Sequence, residues 1–252
     1  MKIALLCDTH CGIRNSSEVF LDNAEDFYTN IFFPECEKRG IKQILHLGDY
    51  YDHRKFVNFK ALNQNRRVFL DQLRKHGMVM DIIPGNHDTY YKNTNELNAL
   101  KECLGHYMNE VHIIMEPTVM QYGSLSMALL PWICADNYEP SMSFIKDCKA
   151  DWLGAHLELA NFEIGRGILA PHGMDAKIFK KFEQVLSGHY HTASRRDNIW
   201  YLGNPMEFFW SDAHDPKFFH VLDTETRQIE KIQNTYTLFE KIVYNDKEMD
   251  YN

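Results

Sequence analysis

Long apolar runs are missing from this sequence, and so is any excess of positive charge. No stretch of about eighteen consecutive apolar residues occurs, the length a membrane-spanning helix needs. The N-terminus MKIALLCDTH enters strand-like sequence without the basic, apolar and cleavage regions of a secretory signal. The chain therefore reads as a soluble, cytoplasmic protein. A formal net charge of −8 excludes a protein that coats nucleic acid by bulk electrostatics, while leaving room for a local basic patch or bound cations. Cysteine is present six times but never as C-x-x-C, so neither a zinc ribbon nor a disulfide framework is expected, and the thiols read as free. No Pro/Gly-rich linker, low-complexity tract or internal repeat divides the 252 residues, and no G-x-S-x-G nucleophile signature appears.

What stands out instead is histidine, 13 of them, in a chain with 44% hydrophobic residues and enough length for one sizeable core. Short apolar runs at 2–7, 41–47, 78–83, 111–115, 125–133, 151–157 and 184–187 predict strands. Amphipathic spacing predicts helices over 18–38, 57–76, 95–106 and 139–149, with Gly40 and Gly77 at C-cap positions. Strand–helix–strand order in the first half implies parallel strands with right-handed crossovers. After residue 184 short strands alternate with turns, including a hairpin turn at Asp223–Thr226, which suggests antiparallel pairing. One mixed α/β domain of two packed sheets flanked by helices accounts for the pattern.

Five of the predicted strands end in residues able to bind metal. KIALLC runs into Asp8-Thr9-His10, ILHL into Gly48-Asp49-Tyr50-Tyr51-Asp52, DIIP into Gly85-Asn86-His87-Asp88, DWLGA into His156, and VLSG into His189 and His191. Ligands of open α/β sheets bind beyond the carboxyl ends of the strands, so these residues fall on one edge. Singly, each has an ordinary structural explanation: Asp8 as a helix N-cap, Gly48-Asp49 and Gly85-Asn86 as turns, His156 as a core histidine. Five independent strand ends converging by chance is a poor explanation. Hard oxygens from Asp8, Asp49 and Asn86 mixed with imidazoles from His10, His156, His189 and His191 suit manganese, iron or zinc. Seven ligands are too many for one ion, whereas a bridging Asp49 lets two ions share them. In an extended chain His189 and His191, at i and i+2, would project to one face, with Tyr190 on the other.

The ordered motifs D-x-H, G-D-x-x-D, G-N-H-D, a lone H and G-H-x-H resemble those of the calcineurin-like metallophosphoesterases. CDTHCG, GDYYD, PGNHD and SGHYH followed by YLGNPMEF are most similar to the nuclease subunits of SbcC/SbcD-type recombination and repair complexes, in the compact form found in tailed phages. The resemblance implies a four-layer α/β/β/α sandwich and a two-manganese site, with magnesium, iron or zinc as alternatives. It implies one ion on Asp8, His10, Asp49 and His191, and another on Asp49, Asn86, His156 and His189. His87 would then face the scissile phosphate as general acid or charge stabiliser, oriented by Asp88, with Asp52 positioning phosphate or relaying a proton. His46 reads as a core residue, while His53, His172 and His214 have no assigned role.

The activity so implied is DNA exo/endonuclease hydrolysis in recombination, replication and repair. Alternatives are a phosphatase or phosphodiesterase acting on nucleotides or phosphoproteins, and a non-catalytic subunit that binds DNA ends or an ATPase. Arg14, Arg54, Lys55, Arg195 and Arg196 lie close in sequence to the metal motifs and are the candidates for DNA phosphates. Tyr50, Tyr51, Tyr90 and Tyr91 could stack on frayed bases or simply pack. The family's usual partner is an SMC-like ATPase, and members dimerise through helices, for which 57–76, with Phe59 and Leu62, and 95–106 are candidates. The expected domain is 1–244, with 245–252 a polar tail and no counterpart to the family's capping and ATPase-binding regions.

Overall fold

A computed structural model describes residues 1–165 and 167–242; the expected tail at 245–252 lies outside the described residues. In chain order the strands are β1 (Lys2–Leu6), β2 (Gln43–His46), β3 (Val79–Ile82), β4 (Val111–Ile113), β5 (Thr118–Tyr122), β6 (Leu125–Leu130) and β7 (Trp152–His156). There follow β8 (Glu163–Gly165), β9 (Ile168–Leu169), β10 (Gln184–Gly188), β11 (Ser194–Arg196), β12 (Ile199–Tyr201), β13 (Lys217–Asp223) and β14 (Gln228–Asn234). The helical runs are α1 (18–38), α2 (59–76), α3 (Ala99–Leu104) and α4 (Tyr138–Asp147).

Two six-stranded sheets result, in the orders β14-β13-β1-β2-β3-β4 and β11-β12-β10-β7-β6-β5. β1 through β4 pair in parallel, as strand–helix–strand order requires. β13 and β14 form the expected hairpin, whose turn is tied by Asp223 Oδ1 accepting from the Glu225 and Thr226 N–H groups. One expectation fails: β10 pairs in parallel with both β7 and β12, so the second half is mixed rather than antiparallel. The loop between β10 and β12 carries β11 back along the far side of β12, and this crossing leaves no trace in local alternation.

The buried strands are apolar on both faces because both faces are covered. Ile3, Leu5, Leu45, Leu47, Met127, Leu129 and Leu186 fill the space between the sheets. Ala4, Leu6, Ile44, Met80 and Ile82 face outward against Phe27, Phe32, Phe69 and Leu73 of α1 and α2. Leu130, Leu153, Ala155 and Val185 face the other way, against Ile145 of α4 and Phe179. Three apolar layers separated by two sheets make the α/β/β/α sandwich.

Three of the four helices run as the spacing predicts, with one refinement. Each of α1 and α2 contains a π-helical turn, Tyr28–Phe32 and Arg66–Leu70, and these turns meet where Tyr28 and Phe32 pack on Phe69 at ring separations of 4.8 and 6.1 Å. α2 begins at the Asn58 cap, whose side chain accepts from Lys60 N–H, and ends at Gly77 in the left-handed conformation a C-cap favours (φ 58°). The expected helix 95–106 is shorter because Asn98 caps it, accepting from Lys101 N–H at 3.0 Å. No helix among the described residues is long and apolar enough to cross a membrane.

Candidate metal centre

β1, β2, β3, β7 and β10 deliver their polar ends to one edge of the sandwich. There the ligand-forming atoms fall into clusters: Asp8, His10 and His191 in one, and Asp49, His156 and His189 in another, each with its atoms within 4.8 Å of one another. His10 Nε2 and His191 Nε2 are 3.1 Å apart. Asn86 Oδ1 lies 3.1 Å from His156 Nε2, which joins it to the second cluster. Asp49 Oδ2 sits between them, 3.3 Å from His156 Nε2 and 3.8 Å from His10 Nε2. All seven expected ligands are therefore brought together.

The backbone is forced into this arrangement. Asp8, His10, Asp49 and His189 all have positive φ (50°, 44°, 54° and 91°), a conformation that strains non-glycine residues and concentrates at functional sites. His189 also corrects the simple alternation argument, because its left-handed backbone follows the end of β10. The two histidines turn to different clusters, His191 toward His10 and His189 toward His156, their ring centroids 4.9 and 5.1 Å apart respectively. Tyr190 goes into the core, stacked on Tyr201, its hydroxyl donating to Leu159 O. The glycines of the motifs permit the close approach: a Cβ on Gly188 would lie 2.6 Å from Leu47 O, and one on Gly85 would collide with the Asp49 carboxylate.

Each ligand is held by its spare atoms. His156, fully buried, donates Nδ1–H to Leu47 O at 2.7 Å, which leaves Nε2 facing the cluster. Asp8 accepts from His189 N–H and Asp49 from His87 N–H at 2.7 Å. Burial pushes against a charge on His156, yet the Asp49 carboxylate lifts its pKa to about 9. Burial likewise opposes charge on His10, but the Asp52 carboxylate 3.2 Å from its Nδ1, with Asp49 and Asp8 near, raises it. Burial raises the Asp49 carboxyl too, and the His156 imidazole outweighs this to hold it far below the carboxylate range. Burial, aided by the charge on His156, lowers His189 to about 3. A buried pocket that sets mixed nitrogen and oxygen donors around two carboxylates fits divalent cations of the manganese, iron or zinc type.

His87 departs from expectation in its support. Its Nδ1 donates to the Asp52 backbone carbonyl at 2.6 Å, so its Nε2 is free, and its ring lies 4.9 Å from that of His10. Asp88, expected to orient it, instead accepts from Gly85, Tyr50 and Tyr51 N–H groups and locks the G-N-H-D loop to the G-D-Y-Y-D loop. Burial and the nearby Asp49 charge push Asp88 up to about 7. Asp52 places its carboxylate between His10 and His53, whose ring stacks on Phe56. His46 is a core residue, 3.0 Å from Thr9 Oγ1. Cys7 is buried with its thiol on Gly203 O, and burial pushes Cys11 up to about 12, so neither supplies a thiolate.

The basic candidates divide. Arg14 is exposed at the site, in a left-handed turn, its Nε donating to Phe208 O and its guanidinium 4.7 Å from the centre of the Phe209 ring. Lys55 is exposed 5.7 Å over the Tyr90 ring, and Arg54 has a buried Nη1 without a hydrogen-bond partner among the described residues. Arg195 and Arg196 do not ring the cleft. β11 runs antiparallel to β12, away from the metal edge, and carries Arg195 to Gln184 at the opposite end of β10 and Arg196 onto Phe162. Tyr50 and Tyr51 are core residues, 1% and 0% exposed, which leaves Tyr90 and Tyr91 outside the core.

Sequence reading missed two aromatic groups. Trp132 lies 5.4 Å from His189 and 5.9 Å from His156, and Phe209 stacks at 5.9 Å on His191. Trp132 was hidden because 125–133 reads as one strand; β6 ends at Leu130, before Pro131, so Trp132 is itself a strand-end residue.

The calcineurin-like phosphoesterase family model matches residues 1–193. Exonuclease subunit 1 of Enterobacteria phage T4 is 32% identical over the whole of this chain, which covers 73% of that protein. Among solved structures, a Thermus thermophilus protein is 10% identical with a TM-score of 0.50, over 92% of this chain and 98% of that one. An archaeal phosphodiesterase is 15% identical with a TM-score of 0.46, over 93% of this chain and all of that one. The chain belongs to the calcineurin-like phosphoesterase family, whose members hydrolyse phosphoesters with a pair of divalent metal ions.

Proposed function

We propose that this protein is a manganese-dependent DNA exo/endonuclease acting in recombination and repair beside an SMC-like ATPase. The observation that carries the reading is Asp49 Oδ2 between the two clusters, 3.3 Å from His156 and 3.8 Å from His10. Asp8, His10, Asp49 and His191 would hold one ion, and Asp49, Asn86, His156 and His189 the other. When bound, such ions would lower the pKa of a water and offset charge on the phosphate oxygens. His87 acts from the chain itself. The Asp52 carbonyl fixes its Nδ1 as donor, so Nε2 is the atom that faces the leaving oxygen and, with the ring as imidazolium, gives it a proton and reverts to neutral imidazole. Asp52 orients both His10 and His87, and Asp88 positions the loops that carry Asp49 and His87. Arg14 and Lys55, exposed beside these loops, meet backbone phosphates.

The 32% identity with a phage exonuclease subunit supports DNA over phosphoprotein as substrate. We extend the catalytic domain over residues 1–244. A homodimer through α2 and α3 is supported by Phe59, 87% exposed, at the edge of a cleft of about 510 Å³ that Leu62, Leu70 and Tyr107 also line. The purified protein with manganese is expected to degrade DNA duplex or cut single strands. Substitution His87→Ala should lower kcat by about 10²–10⁴-fold with metal content retained. Vigorous hydrolysis of nucleotides or phosphoproteins with no DNA cleavage would overturn the DNA reading.

A further inference from the structure

Beside His156 the surface folds into a cleft of about 320 Å³, lined by Trp132, Cys134, Tyr138, Glu158 and Met174 as well as His156 itself. This is the lower end of the roughly 300–1,000 Å³ of ligand clefts, well above the ~30 Å³ of a single water. Trp132 lines the cleft beside the metal cluster, its ring 5.9 Å from that of His156 and 5.4 Å from that of His189. Its backbone is pinned on both sides. Trp132 N–H donates to Pro84 O at 2.9 Å, and its carbonyl accepts from Asn95 Nδ2 at 2.7 Å and Asn137 Nδ2 at 3.0 Å. Asn137 also accepts from Cys134 N–H, closing the loop on itself. An aromatic ring mounted this way loses little ordering entropy when something stacks on it.

The lining decides what that something is. Trp132, Tyr138, Ile133 and Met174 give flat, apolar walls; among the described residues Glu158 is the one carboxylate in the lining, and no lysine or arginine joins it. Apart from His156, which belongs to the metal cluster, a phosphate-rich group would meet no cationic side chain from the described lining. A planar, uncharged ring bearing N–H donors fits both the walls and the carboxylate. We propose that this cleft receives the nucleobase attached to the reacting phosphate, stacked on Trp132, with Tyr138 at the mouth and Glu158 accepting from the base edge. The inference rests on the nucleic-acid reading above and adds to it a base subsite on the His156 side of the metal centre.

The test compares two inhibitors of bis(4-nitrophenyl) phosphate hydrolysis by the manganese-loaded protein. Deoxyadenosine 5′-monophosphate and 2-deoxyribose 5-phosphate carry the same phosphate and sugar, and differ only in the base. The nucleotide is expected to inhibit at about tenfold lower concentration, within the range of base–aromatic stacking. Trp132→Ala should bring the ratio close to one, Tyr138→Ala should reduce it, and Trp132→Phe should keep most of it. Binding of the nucleotide should also quench tryptophan fluorescence without turnover, and Trp132→Phe should remove that quench. Equal inhibition by the two compounds, or a ratio untouched by both Trp132→Ala and Tyr138→Ala, would overturn the subsite. Failure of the DNA reading is separate: no DNA cleavage with the inhibitor ratio intact would leave a nucleotide subsite on a different phosphodiesterase.

Discussion

The two ligand clusters share Asp49 but are built differently. The His156 ring is fully buried, anchored through Nδ1 to Leu47 O and set against Trp132, while His189 and Asn86 of the same cluster are half-buried. Around His191 the site opens, with 22% of that side chain exposed and Phe209, 40% exposed, stacked on it. Asp8 and His10, the other ligands on the His191 side, are buried, so the contrast lies between His156 and His191 themselves. The burial of His156 against the exposure of His191 predicts tighter, slower metal exchange where His156 is a ligand and weaker, faster exchange where His191 is.

Removing the shared residue is the strongest way to break the comparison. Asp49→Ala should abolish hydrolysis and reduce bound manganese below two ions per chain, measured by metal analysis after dialysis. Next come the clusters one at a time. In calorimetric titrations of metal-free protein with manganese, His156→Ala should remove the tighter step and His191→Ala the weaker one. The reverse assignment would contradict the burial argument.

Asp88 sharpens the account in a different way, because its work is structural. It accepts backbone N–H groups from two loops while fully buried. Asp88→Ala leaves those donors without a partner and should destabilise the fold by at least ~2 kcal/mol in urea unfolding. A loss of activity with unchanged stability would restore a direct catalytic role.

Far from the metal, His220 on β13 offers a control of comparable size. Burial, then the charge of Lys231, lowers its pKa from 6.5 to about 3, so the native state keeps it neutral while the unfolded chain protonates it. The unfolded state thus binds more protons between those values, and stability falls as pH drops below about 6.5. His220→Phe should remove about 2 kcal/mol of the loss between pH 7 and pH 5, read from denaturant midpoints at each pH. An unchanged pH profile would discount the burial of this imidazole.

Much of the site was legible because each ligand follows an apolar run, and because glycine must precede Asp49, Asn86 and His189 for the loops to pass so close. The sandwich was legible for a related reason: strands covered on both faces read as unbroken apolar segments. β5 was not, since TVMQY is a partly exposed edge strand with weak alternation. The direction of Arg195 and Arg196 was hidden because nearness in sequence says nothing of strand direction, and β11 leads away from the site. The support of His87 was hidden because its partner is a backbone carbonyl, present in every residue and placed only by the fold of the loop.

The central claim is that two ions share Asp49. Crystals grown with manganese and measured at its absorption edge test it most directly. The account predicts two anomalous peaks about 3.5–4 Å apart, on either side of the Asp49 carboxylate, one against His156 and His189 and the other against His10 and His191. A single peak, or two that do not share Asp49, would contradict it.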